Sequence, residues 1–150
     1  MKEEAVSEWL LSWRFWALLS AGFAAATAIL AKVGIDGVAP DVATFIRTLV
    51  VVALAGAILA ASGQAQELSR VSGRNLVFLI LSGLATGASW LCYFRALALG
   101  DAGRVAPLDK LSVVLVAVFG VLFLGERLAP HHWLGVGLIA AGAGLLAWRA

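Results

Sequence analysis

Arg47, Asp109 and Lys110 stand inside long apolar runs, and Ser89, Trp90 and Tyr93 lie in another. If those runs are membrane helices, a charge at a helix centre costs roughly 2.5–3.5 kcal/mol on insertion scales, so ionisable residues there are functional candidates by default. Depth limits the argument. Arg47 falls about one and a half turns into its run, and Asp109 and Lys110 about one turn into theirs, following Pro107; at 1.5 Å per residue all three are roughly 6–8 Å from a boundary. A long side chain reaches that far by snorkelling, so a site role and a snorkelling role are both open. Neighbours on a helix point about 100° apart, so Asp109 and Lys110 are not expected to face one another as an ion pair. Arg95 closes its run, where a cation suits a helix C-terminus.

Ser82, Thr86, Ser89 and Tyr93 repeat at helical spacing as a hydroxyl stripe, with Gly83, Gly87, Trp90 and Phe94 on the adjoining face. Trp16, Ser20, Phe23 and Thr27 repeat the combination earlier in the chain, and Thr44, Arg47 and Thr48 add a polar patch between them. Converging, these faces would line a cavity for an amphipathic small molecule; alternatively, Ser and Thr hydrogen-bond across tight helix contacts. No run carries Asp or Glu near its middle, so a deep carboxylate exchanging a proton for an organic cation is not expected. The charged candidates are mainly cationic, which would favour anionic, zwitterionic or hydroxyl-rich solutes over lipophilic cations.

Enzyme signatures are weak, and neither catalysis, a metal nor a cofactor is expected. His131 and His132 are adjacent rather than spaced as zinc ligands. The G-x-G-x-x-A match at Gly142–Ala147 lies in an apolar run without a preceding strand. The net charge of +2 gives no reason to expect nucleic acid, and the one cysteine, Cys92, forms no intramolecular disulfide.

The elements that must position these residues follow from bilayer arithmetic: crossing a hydrocarbon core of roughly 30 Å takes about 20 mostly apolar residues in a helix. Spans are predicted near Phe15–Ala31, Val42–Ala61, Asn75–Leu97, Val105–Leu124 and His132–Trp148. The chain is 62% hydrophobic and 13% charged, with a mean hydropathy of +0.97, far from the composition of a soluble domain. Continuous Leu, Ala, Val and Gly runs exclude the alternation of barrel strands. The expectation is an all-α integral membrane bundle of five transmembrane helices over residues 15–148, preceded by an interfacial segment over 1–14. Trp9, Trp13, Trp16, Trp133 and Trp148 fall near predicted ends, where an indole is half wet. Glu3, Glu4 and Glu8 argue against a cleaved signal peptide.

Charge placement bears on orientation. With five helices, one side carries Lys2, Arg14, Arg70, Arg74 and Arg127; the other carries Lys32, Arg95, Arg104 and Arg149, with Arg47 and Lys110 just inside its helix ends. A fixed orientation normally shows a clear excess of Lys and Arg on the cytoplasmic side. Either Arg70 and Arg74 fix the second loop inside, or the chain inserts both ways, and oppositely oriented copies would form an inverted repeat of the kind that underlies alternating access. In the last span Gly137, Ala141 and Gly144 belong to a small-residue run that would permit close helix contact, between copies or within one chain.

The segments Tyr93–Leu97, Gly100–Asp101, Arg104–Val114 and Phe123–Leu128 resemble the EamA family of the drug/metabolite transporter superfamily, as do Ala31–Gly34 and Phe45–Thr48. The resemblance spans Trp16 to Leu146 and implies an alternating-access carrier of small metabolites. Typical members carry two inverted five-helix repeats; this chain is similar to a single repeat, completed by an inverted second copy or by an oppositely oriented half-transporter. The last helix also resembles the dimer-forming helix of small multidrug resistance proteins, whose acidic residue in the first helix has no counterpart here. On this reading Trp16, Arg47, Ser89, Trp90, Tyr93, Asp109 and Lys110 contact substrate, Pro107, Glu126 and Arg127 gate or support, and the protein sits in the cell membrane. A non-transporting scaffold and a lipid-linked sugar flippase subunit are the alternatives.

Overall fold

The computed structural model describes residues 12–148; the expected interfacial segment therefore lies largely outside the described residues, as do Trp9 and Arg149. Among the described residues every regular element is helical. Helix α1 runs Trp13–Gly34 and α2 Pro40–Ala61; a 3₁₀ segment spans Gln64–Arg70; α3 runs Gly73–Leu99, α4 Ala102–Asp109, α5 Leu111–Leu124 and α6 Pro130–Ala147. Four stretches are long and apolar enough to cross a membrane: α1, α2, α3, and α4 with α5 as a single 23-residue span. The chain is a multi-pass membrane protein.

Local chemistry sets the boundaries. Ser12 and Ser72 open α1 and α3, each hydroxyl accepting from the N–H three residues on, Phe15 at 3.4 Å and Asn75 at 3.2 Å. Pro40 and Pro130 occupy first helical positions of α2 and α6, where a missing N–H costs nothing. His132 completes the start of α6, its Nδ1 accepting from the Ala129 N–H at 3.1 Å, which gives this histidine a capping place. After α5 the chain reverses at Gly125, whose φ of +69° suits glycine. The Glu126 N–H donates to the Gly120 carbonyl at 3.1 Å, and the Glu126 side chain folds back over Gly120 so closely that a Cβ there would stand 2.6 Å from Oε2.

The structure differs from expectation in two details. The span expected over Val105–Leu124 is two helices, α4 and α5, so the described residues hold six α-helices, and α6, expected as the fifth span, is not among the four stretches long and apolar enough to cross a membrane. Pro107 lies inside α4, where it lacks the donor for the preceding turn. The ladder then tightens: the Lys110 N–H is shared between the carbonyls of Ala106 at 3.3 Å and Pro107 at 3.1 Å, and α5 begins at the next residue.

Helix α3 is the centre of the bundle, flanked by α1, α2 and α4; α4 also touches α1 and α6, and α6 packs on α5. Burial concentrates where the end of α1, the start of α2 and the end of α3 meet: Ala28, Ile35, Thr44, Phe94 and the fully enclosed Leu97. Three cations tie that end. Lys32 Nζ donates to the carbonyls of Leu97 at 2.7 Å and Gly100 at 2.9 Å. Arg104 Nη2 donates to the Ala147 carbonyl at 3.2 Å, closing α6. Arg95 Nη2 reaches Asp41 Oδ1 at 3.1 Å, joining α3 to α2. The sequence placed Arg95 at the carbonyl end of its own helix; the structure gives those carbonyls to Lys32 and pairs Arg95 with Asp41, because a side chain on the α2-facing side of α3 meets a carboxylate first.

Lys32→Met is expected to lower stability by about 1.5–3 kcal/mol, the usual range for hydrogen bonds to a charged group, whereas Arg95→Ala should cost at most about 1 kcal/mol because that pair is exposed. Unfolding in mixed micelles on an SDS titration reads both. Gly120→Ala should destabilise modestly by displacing the Glu126 side chain, and adding Glu126→Ala should recover much of the loss; additive effects would mean that the two residues are not in contact.

Candidate functional site

A cavity of about 440 Å³ opens among α1, α2, α3 and the α4–α5 junction. Each wall has a distinct chemistry. Helix α1 presents Ala21, Ala24, Ala25 and Ala28, spaced i, i+3, i+4 and i+7 on one helical face, with Thr27 at the edge. Helix α2 contributes Arg47; α3 contributes Ser89, Trp90 and Tyr93; the junction contributes Ala106, Pro107, Asp109 and Lys110.

Arg47 holds the centre of the polar side. Its guanidinium carbon lies 4.2 Å from the centroid of the Trp90 ring and 5.7 Å from that of Phe94. Half-buried cation–π contacts of this kind contribute about 0.5–2 kcal/mol. They hold the guanidinium between α2 and α3, which pack directly on each other. Tyr93 stands one turn below Trp90 and within electrostatic reach of both Arg47 and Asp109. Asp109 Oδ2 and Lys110 Nζ are 3.3 Å apart. This overturns the expectation that the two do not pair: Lys110 keeps a right-handed helical backbone, and its long side chain turns back to reach the neighbouring carboxylate.

Of the residues singled out in the sequence, Arg47, Ser89, Trp90, Tyr93, Pro107, Asp109 and Lys110 share this cavity. Trp16 does not line it; it is 61% exposed and packs edge-on against Phe15. Glu126 and Arg127 lie at the α5–α6 turn, away from the lining. On α6, Ala143 is buried against the bundle while Gly137, Ala141 and Gly144 lie on the exposed side, so the small residues form two faces rather than one.

The hydroxyl stripes divide in the same way. Thr86 Oγ1 donates to its own helix at the Ser82 carbonyl at 2.9 Å, and Thr44 and Thr48 do likewise to Pro40 and Thr44 at 2.8 Å each. Only Ser89 and Tyr93 of the α3 stripe, and Thr27 of the α1 set, reach the cavity. The alanine face of α1 was missed because alanine carries no polar signal; its heptad-like spacing was the available clue. No group of three or more His, Cys, Asp or Glu side chains able to hold a metal ion occurs among the described residues.

Comparison with known proteins completes the assignment. The EamA-like transporter family matches residues 11–148. An uncharacterized transporter in the cobO 3′ region of Sinorhizobium sp. is 66% identical over 136 residues, covering 91% of this chain and 96% of that protein. A probable 4-amino-4-deoxy-L-arabinose-phosphoundecaprenol flippase subunit, ArnE, of Aeromonas hydrophila is 38% identical over 69 residues, 46% of this chain and 60% of that protein. A riboflavin transporter of Rhizobium johnstonii is 35% identical over 72 residues, 48% of this chain but 24% of the longer relative. No solved structure matches. With every described residue inside the match, from the Lys32 latch to the Arg47 cavity and the split fourth span, the chain belongs to the EamA-like transporter family.

Proposed function

We propose that this protein is a secondary, alternating-access carrier of small metabolites or drug-like amphipathic solutes in the cell membrane, assembled as an antiparallel homodimer of five-span chains. The observation that carries the reading is the cavity itself: four wall elements, one cation held against aromatic rings and the three hydroxyl-bearing side chains of Thr27, Ser89 and Tyr93 meet in a space within the usual range of small-molecule sites. Arg47 supplies the charge, Trp90, Tyr93 and Ser89 the aromatic and hydroxyl contacts, and Asp109 with Lys110 the polar anchor. Pro107 places a break where the fourth span could bend, and Glu126 and Arg127 act at the turn. α6 serves as the fifth span and offers Gly137, Ala141 and Gly144 to its counterpart.

One further observation favours a paired half-transporter. A 66% identical transporter has nearly the same length, whereas the riboflavin transporter is about four times the matched segment. The likeness to ArnE supports a second reading, a flippase subunit for a lipid-linked solute, in which the open side of the cavity admits a headgroup while the lipid tail stays in the bilayer.

Reporters fused after Ala150, one active only in the cytoplasm and one only outside it, should both be active; activity of a single reporter removes the antiparallel pair and favours a separate partner or a scaffold. In proteoliposomes, Arg47→Ala should abolish solute flux while the protein still elutes as a folded species. Unchanged flux in that variant would take Arg47 out of the pathway.

A further inference from the structure

Four of the cations near the cavity and the latched end have protein acceptors: Lys32 on two carbonyls, Arg104 on one, Arg95 on Asp41 and Lys110 on Asp109. Arg47 differs. Among the described residues no carboxylate or carbonyl accepts a hydrogen bond from its guanidinium, whose contacts are the faces of Trp90 and Phe94. A ring offers a guanidinium no carbonyl or carboxylate oxygen, so such contacts leave its forked N–H groups, the part that matches the two oxygens of a carboxylate, without an oxygen acceptor.

We propose that Arg47 receives the carboxylate of an amphipathic monoanion whose apolar body lies on the alanine face of α1. The inference rests on the carrier reading and narrows its substrate class.

Charge decides between the candidate classes. Asp109 and Lys110 offset one another at 3.3 Å, which leaves the lining with the single uncompensated charge of Arg47. An unpaired charge in a partly desolvated site is costly, so a ligand carrying one negative charge completes it. A zwitterion would bring an ammonium to a lining whose one carboxylate already holds Lys110, and a cation would add like charge to Arg47. A neutral hydroxylated solute would leave Arg47 unmet. On the α1 wall of the same cavity, Ala21, Ala24, Ala25 and Ala28 offer methyl groups alone, a surface suited to a hydrocarbon body. In a two-copy assembly each chain brings its own guanidinium and its own alanine face.

The test uses the full chain in lipid nanodiscs and four probes that share one hydrocarbon body: 3-phenylpropanoate, its neutral amide, phenethylamine and phenylalanine, titrated calorimetrically at neutral pH. The anion should bind on the order of tenfold to a hundredfold more tightly than the amide, the range expected when a hydrogen bond to a charged group is lost. Phenylalanine and phenethylamine should bind no better than the amide. Arg47→Gln should bring the anion down to the level of the amide, and Arg47→Lys, which keeps the charge but not the fork, should fall between. Equal binding of the four probes, preference for phenylalanine or phenethylamine, or binding of none overturns the proposal on the native protein alone, whether or not the variants fold. One-sided reporter activity with this ranking intact would remove the antiparallel pair and keep the carboxylate site; a flat ranking in a chain that inserts both ways would do the reverse.

Discussion

The ammonium of Lys32, 2.7 Å from the Leu97 carbonyl and 2.9 Å from that of Gly100, is the contact on which the arrangement of the bundle depends. Every helix ends with carbonyls that have no partner in the next turn, and near a membrane core there is little water to supply one. Helix α3 passes into extended backbone at Gly100 and so brings no further turn of its own. A lysine from the last turn of α1 meets the need and in doing so draws the end of α1 onto the end of α3. Leu97 and Phe94 are buried beneath that junction. Arg104 repeats the device on α6, through the Ala147 carbonyl. Two helix ends are thus capped by cations from other helices, which makes capping a tertiary contact and concentrates the packing at one end of the molecule.

The cavity is the complement of that packing. With α1 and α2 each tied to α3 at one end, the wedge between them is walled on three sides and closed across by the α4–α5 junction. What lines it depends on how each polar side chain satisfies itself. Thr44, Thr48 and Thr86 donate to the carbonyl one turn earlier on their own helices and need no cavity. Arg47 has no such option on α2, because its donors are too many and too far from the backbone, and it lies instead across the rings of α3.

This division explains what the sequence disclosed and what it withheld. The apolar runs announced the helices, since length and hydropathy are properties of a single segment. Arg47, Ser89, Trp90, Tyr93, Asp109 and Lys110 stood out because each is polar or aromatic within an apolar run, and the folded chain brings them to a common cavity. Trp16 has the same composition signal but sits near a helix start, where an indole suits the membrane boundary. Periodicity could not reveal which helix faces which. The Asp41–Arg95 pair spans 54 positions and the Lys32 contacts 65 and 68, and nothing local marks either. Pro107 was visible, yet whether a proline begins a helix or interrupts one depends on the turn before it, here supplied by Asp101 through Ala106.

The latched end and the cavity are mechanically one unit. Asp41 and Arg47 lie on α2 less than two turns apart, and Trp90 and Arg95 occupy the corresponding stretch of α3. The Asp41–Arg95 pair and the Arg47–Trp90 stack therefore join the same two helices at successive levels. A ligand that engages the guanidinium acts on one rung of that ladder, and a shift of α2 against α3 large enough to displace Arg47 from Trp90 also strains the exposed ion pair further along α3. The ion pair is the weaker rung, both partners being exposed. Lys32 is the stronger, since its two carbonyl acceptors belong to a buried junction on α3.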